Sequence, residues 1–222
     1  MRATLLGVAF LLGGFTAVSA HAASVCNAVI GNIVKNCGFE AGNLSDWNVS
    51  GNLEGGTSGN YFGVTGGLQN SGTYAAYFGV QGGGGSDIGS LGPFLALSQS
   101  FPLLRNEYYS FTFYLEDLTA PNPGYTQYFD ASINGFQVVA LDNSSIDSNL
   151  IGSYRKFSFV TSTGGQFGAA PDISFDFQND DSYWLLDDVS VTALGPTPEP
   201  ASFLLVAPAL AGLFWFVRRR AA

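Results

Sequence analysis

Apolar and polar positions alternate through most of the interior of the chain, and strict alternation is the signature of a half-buried strand. In residues 109–115 (YSFTFYL), Tyr109, Phe111, Phe113 and Leu115 fall on one face. Phe157 and Phe159 alternate with Lys156, Ser158 and Val160. Ile173, Phe175 and Phe177 alternate with Ser174, Asp176 and Gln178. Leu185, Val189 and Val191 are expected to share a face in a last strand, with Asp187 on that same face, and residues 73–80 and 136–141 supply further strands. No interior stretch carries an i, i+3, i+4 apolar stripe. Loops are expected at the four glycines 82–85 and at residues 121–124 (PNPG). Many short strands broken by Gly, Asn, Ser and Pro turns predict an all-β antiparallel sandwich.

The two ends follow a different pattern. Arg2 precedes an uncharged apolar run from Leu5 to Val18, and Ala20-His21-Ala22 is a small-x-small cleavage site. Residues 1–22 therefore read as a secretory signal peptide. Residues 201–217 (ASFLLVAPALAGLFWFV) form a second apolar run, at the short end of what spans a bilayer as a helix. Arg218, Arg219 and Arg220 follow as a basic stop, which keeps that end cytoplasmic and the body outside. The expected organisation is a signal peptide over 1–22, a β-sandwich ectodomain over 23–195 and a membrane-directed segment over 196–222.

Composition sharpens this picture. The chain has 222 residues, 8 Lys+Arg, 17 Asp+Glu, a single histidine and 29 glycines. Arg2, Arg218, Arg219 and Arg220 flank the two apolar runs, so the body keeps only Lys35, Arg105, Arg155 and Lys156 against all the acids. Such a body is unsuited to nucleic acid, which requires a basic surface. The histidine is His21, which leaves with the signal peptide and takes imidazole chemistry with it. Cys26 and Cys37 lie in an exported chain and are expected to form a disulfide; a reactive thiol pair is the alternative.

At Pro198, Glu199 and Pro200, directly before the apolar run, the C-terminal segment resembles the PEP-CTERM sorting signal. In family naming the same tail also carries the label of an ice-binding protein C-terminal domain, which describes the tail and gives no evidence of ice binding. The resemblance implies an exosortase-like membrane enzyme as partner. It also implies an inner-membrane anchor with the ectodomain in the periplasm. The destination would be the cell surface or extracellular matrix of a Gram-negative bacterium.

The body offers a second resemblance. Residues 36–40 (NCGFE), followed by Gly42 and Trp47, resemble the opening of jelly-roll carbohydrate-binding modules, and 97–101 (LSQSF) and 186–191 (LDDVSV) resemble their middle and closing strands. This implies a galactose-binding-like jelly roll, with Glu40 and Asp187 helping to hold a structural calcium ion. A buried carboxylate needs a cation or several backbone donors, and calcium takes six to eight oxygens. Satisfaction of Asp187 by backbone N–H groups is the alternative. Sugar recognition calls for exposed aromatic faces beside polar groups. Trp184, Tyr125, Tyr128 and Tyr61 are the candidates, whereas Trp47 is expected in the core.

Catalysis is not expected. There is no G-x-S-x-G elbow. The neighbouring acids Glu116-Asp117 and Asp187-Asp188 should split to opposite faces of their strands, and Asp180-Asp181 should lie in a turn. The sequence thus points to a non-catalytic envelope, surface or matrix protein whose sandwich binds extracellular polysaccharide. The alternatives are a structural or adhesive component with no glycan ligand and, third, a weak polysaccharide-acting enzyme.

Overall fold

The computed structural model describes residues 23–51, 61–79, 95–101, 103, 107–162 and 173–196. The expected signal peptide, the glycines 82–85, the Pro198-Glu199-Pro200 motif, the apolar run 201–217 and Arg218, Arg219 and Arg220 lie outside them. Among the described residues no helix is long and apolar enough to cross a membrane.

A 3-10 turn (Val25–Ala28) precedes ten strands: β1 (Asn48–Gly51), β2 (Phe62–Gly66), β3 (Tyr74–Phe78), β4 (Leu95–Gln99), β5 (Glu107–Asp117), β6 (Gln127–Ile133), β7 (Phe136–Asp142), β8 (Arg155–Ser162), β9 (Ile173–Asn179) and β10 (Trp184–Pro196). They form two five-stranded antiparallel sheets, in the orders β1-β4-β9-β6-β7 and β2-β3-β10-β5-β8. The all-β antiparallel sandwich expected from alternation is present. β10 runs to Pro196, one residue past the expected end of the ectodomain.

The inner faces carry the predicted apolar sets. Tyr109, Phe111, Phe113 and Leu115 of β5 and Ile173, Phe175 and Phe177 of β9 are all buried. Phenylalanine bridges the sheets: Phe78 stacks on Phe177 at 4.1 Å, and Phe113 meets Phe175 edge-on at 5.2 Å. Offset-stacked and edge-on pairs at these distances add about 0.5–1.5 kcal/mol each beyond area burial. The high aromatic content is therefore largely core filling.

The motif around residue 36 is a folding device. Asn36 sits at φ 47°, and its side-chain amide donates to the carbonyls of Asn43 and Ser45. Phe39 is buried and stacks on Trp47, which is buried as expected and donates from Nε1 to Asn36 O at 3.1 Å. Gly38 lets Ser24 close on the backbone, since a Cβ there would strike the serine side chain. Cys26 and Cys37 are bridged, with Cα atoms 6.0 Å apart.

Two expectations need correction. Residues 127–133, which were not among the expected strands, form β6, an interior strand of the first sheet. In β10, Asp187 and Leu185 do not share a face with Val189 and Val191. The register with β5 shifts between Asp187 and Ser190, and Asp188 adopts φ 50°. Trp184 and Leu186 point into the inter-sheet core before this bulge, and Val189 and Val191 after it. The extra residue inverts the alternation, as a bulge must. Beyond the bulge, Ile33 N donates to Val191 O and Val189 N donates to Cys37 O, so the N-terminal segment lines β10.

Candidate functional site

The outer face of the first sheet is polar row by row, because the residues alternating with its core phenylalanines are carboxylates, amides and hydroxyls. Strand register places Tyr128 between Gln178 and Asp142. The next row is Ala140, Asp130, Asp176 and Ala96, and the third is Gln137, Ser132, Ser174 and Ser98. Alanines flank the two aspartates within that row. Directly opposed residues have Cβ atoms about 4.5–5.5 Å apart. Asp130 and Asp176 thus form a carboxylate pair drawn from different strands.

Side chains of the same face supply the partners. The Tyr128 hydroxyl lies 3.4 Å from Asp130 Oδ2, and the Gln137 amide donates to the same oxygen. The Ser132 and Ser174 hydroxyls are 2.6 Å apart. Burial pushes the Asp130 carboxyl up, and burial followed by the charge of Asp130 pushes Asp176 up. Gln178 donates from Nε2 to Asp180, while its Oε1 is buried without a hydrogen-bond partner. This face offers acceptors, an amide, hydroxyls and one aromatic ring, a set matched to ligands rich in hydroxyl groups.

The second sheet carries a different acidic cluster. Asp187 Oδ2 accepts from the backbone N–H groups of Asn70 and Ser71 at 2.9 and 3.2 Å, and Oδ1 accepts from Asp188 N at 2.7 Å. Asp188 Oδ1 accepts from the Ser24 hydroxyl and Cys26 N, and Oδ2 from the Asn70 amide and Ser71 hydroxyl. Glu40 accepts from Thr73 N and Tyr74 N. Gly72, at φ 72°, has no room for a Cβ beside the Glu40 carboxylate. Three carboxylates therefore clamp the loop of residues 67–73. The Asp187-Asp188 pair, expected to split, converges on this loop because of the bulge. Burial and the adjacent Asp188 charge push Asp187 up to about 8, against the pull of its three N–H donors.

These contacts bear on the calcium expected at Glu40 and Asp187. Among the described residues no group of three or more His, Cys, Asp or Glu side chains could hold a metal ion. The N–H dipoles directed at both carboxylates supply the compensation that a buried charge needs, and a cation would have to displace them. The donor set fits hydrogen-bonded carboxylates better than a cation cage.

The aromatic candidates separate. Trp184 is fully buried and donates from Nε1 to Gln178 O at 2.9 Å, so it is a core residue and not a ligand platform. It lies opposite Asp187, as alternation requires, but the side opposite Asp187 is the core. Tyr128 is half-buried on the polar face, and Tyr125 is exposed in the loop leading into β6. Tyr61 precedes the edge strand β2 of the other sheet, where its carbonyl accepts from Gly79 N. The structure thus brings Tyr125 and Tyr128 to one end of the first sheet and leaves Tyr61 apart. A cleft of about 470 Å³ on the second sheet is lined by Thr65, Leu68, Tyr77, Leu118, Tyr183 and Leu185, along with Val64. Sequence reading missed Asp130 and Ser132, since β6 was not expected, although the alternation of Phe129, Ala131 and Ile133 was an available signal; Gln137 lies on the expected strand over 136–141 but was assigned no role.

No family model matches the sequence, and no curated protein matches it. Similar folds occur among solved structures. A cyclase from Fischerella sp. TAU, solved in complex with 4-(1H-indol-3-yl)butan-2-one, is 15% identical over 77% of this chain and 100% of its own, with a TM-score of 0.52. TmCBM61, solved in complex with β-1,4-galactotriose, is 18% identical over 73% of this chain and 98% of its own, with a TM-score of 0.46. The CBM22-1 xylan-binding domain of Paenibacillus barcinonensis Xyn10C is 15% identical over 72% and 94%, with a TM-score of 0.43. At such identities the likeness concerns the fold, and the cyclase match supports the jelly-roll sandwich.

Proposed function

We propose that this is an exported, non-catalytic envelope or surface-matrix protein that binds polysaccharide on the outer face of its first sheet. The observation that carries the reading is the three-row polar face, with Tyr128, the Asp130–Asp176 pair and the serine pair Ser132–Ser174 in successive rows. A sugar hydroxyl is both donor and acceptor, so it can share the aspartates with Gln137 and Tyr128. Tyr125 and Tyr128 supply ring faces for the apolar side of a sugar. Two neighbouring carboxylates can also do acid–base work on a glycosidic bond, and the hydrolysis arm of the test below separates that alternative from binding.

Delivery belongs to the same proposal. The Pro-Glu-Pro motif, apolar run and terminal arginines support recognition by an exosortase-like enzyme and passage through an inner-membrane-anchored periplasmic form. Structural calcium at Glu40 and Asp187 is left out of this reading, because N–H donors already occupy those oxygens.

The test is saturable binding of the full chain in detergent to a panel of bacterial and plant polysaccharides, read by calorimetry. Binding that Tyr128→Ala and Asp176→Ala each weaken supports the reading. Absence of binding across the panel favours a structural or adhesive component, and release of reducing sugar reveals an enzyme. For sorting, removal of residues 197–222, which leaves β10 whole, should release the body from the membrane. Unchanged membrane attachment would refute the sorting role.

A further inference from the structure

The inner faces of three strands change from phenylalanine to oxygen at one end of the sandwich. Asp117 closes β5 in phase with Phe111, Phe113 and Leu115. Gln127 opens β6 in phase with Phe129 and Ala131, and Asn179 closes β9 in phase with Phe175 and Phe177. Asp117 and Gln127 are fully buried, and Asn179 is 1% exposed. Hydrogen bonds tie them together. Asn179 Nδ2 and Thr119 N both donate to Asp117 Oδ1, at 3.1 and 3.3 Å, and Gln127 Nε2 donates to Thr119 O at 3.3 Å. Gln127 also faces Asn179 in register.

Once these bonds are made, Asp117 Oδ2, Gln127 Oε1 and Thr119 Oγ1 are buried with no partner. Gln127 Oε1 is an acceptor only, Asp117 Oδ2 is one while its carboxyl is ionised, and Thr119 Oγ1 belongs to a hydroxyl that can also accept. Buried acceptors require a donor or a cation. Asn179 Oδ1 is already occupied by Asp181 N and Ser182 N. Arg155 is engaged with Asp147 at 3.0 Å and lies over the Phe157 ring.

We propose that Asp117, Gln127 and Thr119 form a site for a hard divalent cation, calcium in an exported protein, at the end of the core where β5, β6 and β9 meet. Hard cations take carboxylate, amide and hydroxyl oxygens together, with water completing the shell. One carboxylate among neutral ligands makes a weak site, with a dissociation constant of about 10⁻⁴–10⁻³ M, the range of extracellular modules. The ion would join the last residue of β5 to the first of β6 and so fix the loop that carries Tyr125. The inference concerns residues distinct from Glu40 and Asp187 and does not depend on glycan binding.

The experiment uses the full chain in detergent, stripped with chelator and titrated with calcium, with melting followed by intrinsic fluorescence. Terbium serves as a second probe, because Trp184 is the cross-strand partner of Asp117 and can sensitise its luminescence. Calcium should raise the melting temperature and quench terbium luminescence by competition. Asp117→Asn should lose both responses, and Glu40→Gln should keep both. Gln127→Glu adds a second carboxylate and should tighten calcium at least tenfold, which keeps the test decisive if Asp117→Asn does not fold. Three results would overturn the proposal: no calcium response in the wild type, a response that survives Asp117→Asn, or no tightening in Gln127→Glu. Loss of the response in Glu40→Gln alone would overturn it too, assigning the ion to Glu40.

Discussion

Two carboxylate pairs occupy the outer faces of the two sheets, and they are treated in opposite ways. Asp187 and Asp188 accept from three backbone N–H groups of residues 70, 71 and 188, from Cys26 N, and from the side chains of Ser24, Asn70 and Ser71. Asp130 accepts from Tyr128 and Gln137, side chains of its own face, and its charge raises the neighbouring Asp176 carboxyl. Backbone donors cannot move without unfolding the loop, so the first pair is structural. Side-chain donors can rotate toward an incoming hydroxyl, so the second pair suits a ligand. The contrast separates holding from binding more clearly than residue type does.

The largest effect should come from the clamped pair. Asp188→Ala removes four hydrogen bonds, two of them buried and two part-buried, and strands Ser24, Cys26, Asn70 and Ser71; we expect a loss of about 3–5 kcal/mol in urea unfolding. Asp176→Ala should cost less than about 1 kcal/mol, and equal costs for the two variants would break the comparison. Gly72→Ala combines a left-handed backbone with a Cβ against Glu40 and should cost about 2 kcal/mol in the same assay.

The pH response is smaller and has a defined sign. Asp187 is raised to about 8 from 3.8, and Asp130 and Asp176 are raised as well. The folded state then binds more protons than the unfolded chain between about pH 4 and 8, so stability falls as pH rises through that window. Thermal melting in chelator should decline from pH 5 to pH 8. A flat or rising profile would mean that the N–H donors outweigh burial at Asp187. The smallest effect on stability should be that of Tyr128→Ala, which is expected to leave melting nearly unchanged while weakening polysaccharide binding about tenfold, or about 1.4 kcal/mol.

Legibility in the sequence followed the range of the interactions involved. The alternation in residues 109–115 and 173–178 located β5 and β9 and their inner faces, because period two is a local property of a pleated chain. Trp47 could be placed in the core from its position in the opening motif. The bulge at Asp187 and Asp188 could not be read, since nothing local distinguishes a residue at φ 50° from one continuing a strand. Every face assignment across it therefore inverted. Trp184 failed for a related reason: alternation gave its side relative to Asp187, but only sheet pairing decides which side is the core.

The amino-acid sequence by itself determined an all-β antiparallel body, its acidic charge, the absence of imidazole after residue 22 and the strands whose period is clean. These follow from local spacing and composition. The tertiary structure alone decided that Asp130 meets Asp176, that Asp187 and Asp188 converge on residues 70 and 71, and that Asp117, Thr119 and Gln127 share one buried end. Those partners lie up to 118 positions apart, as Asn70 and Asp188 do. Only the register of the sheets and one bulge determine which of them touch.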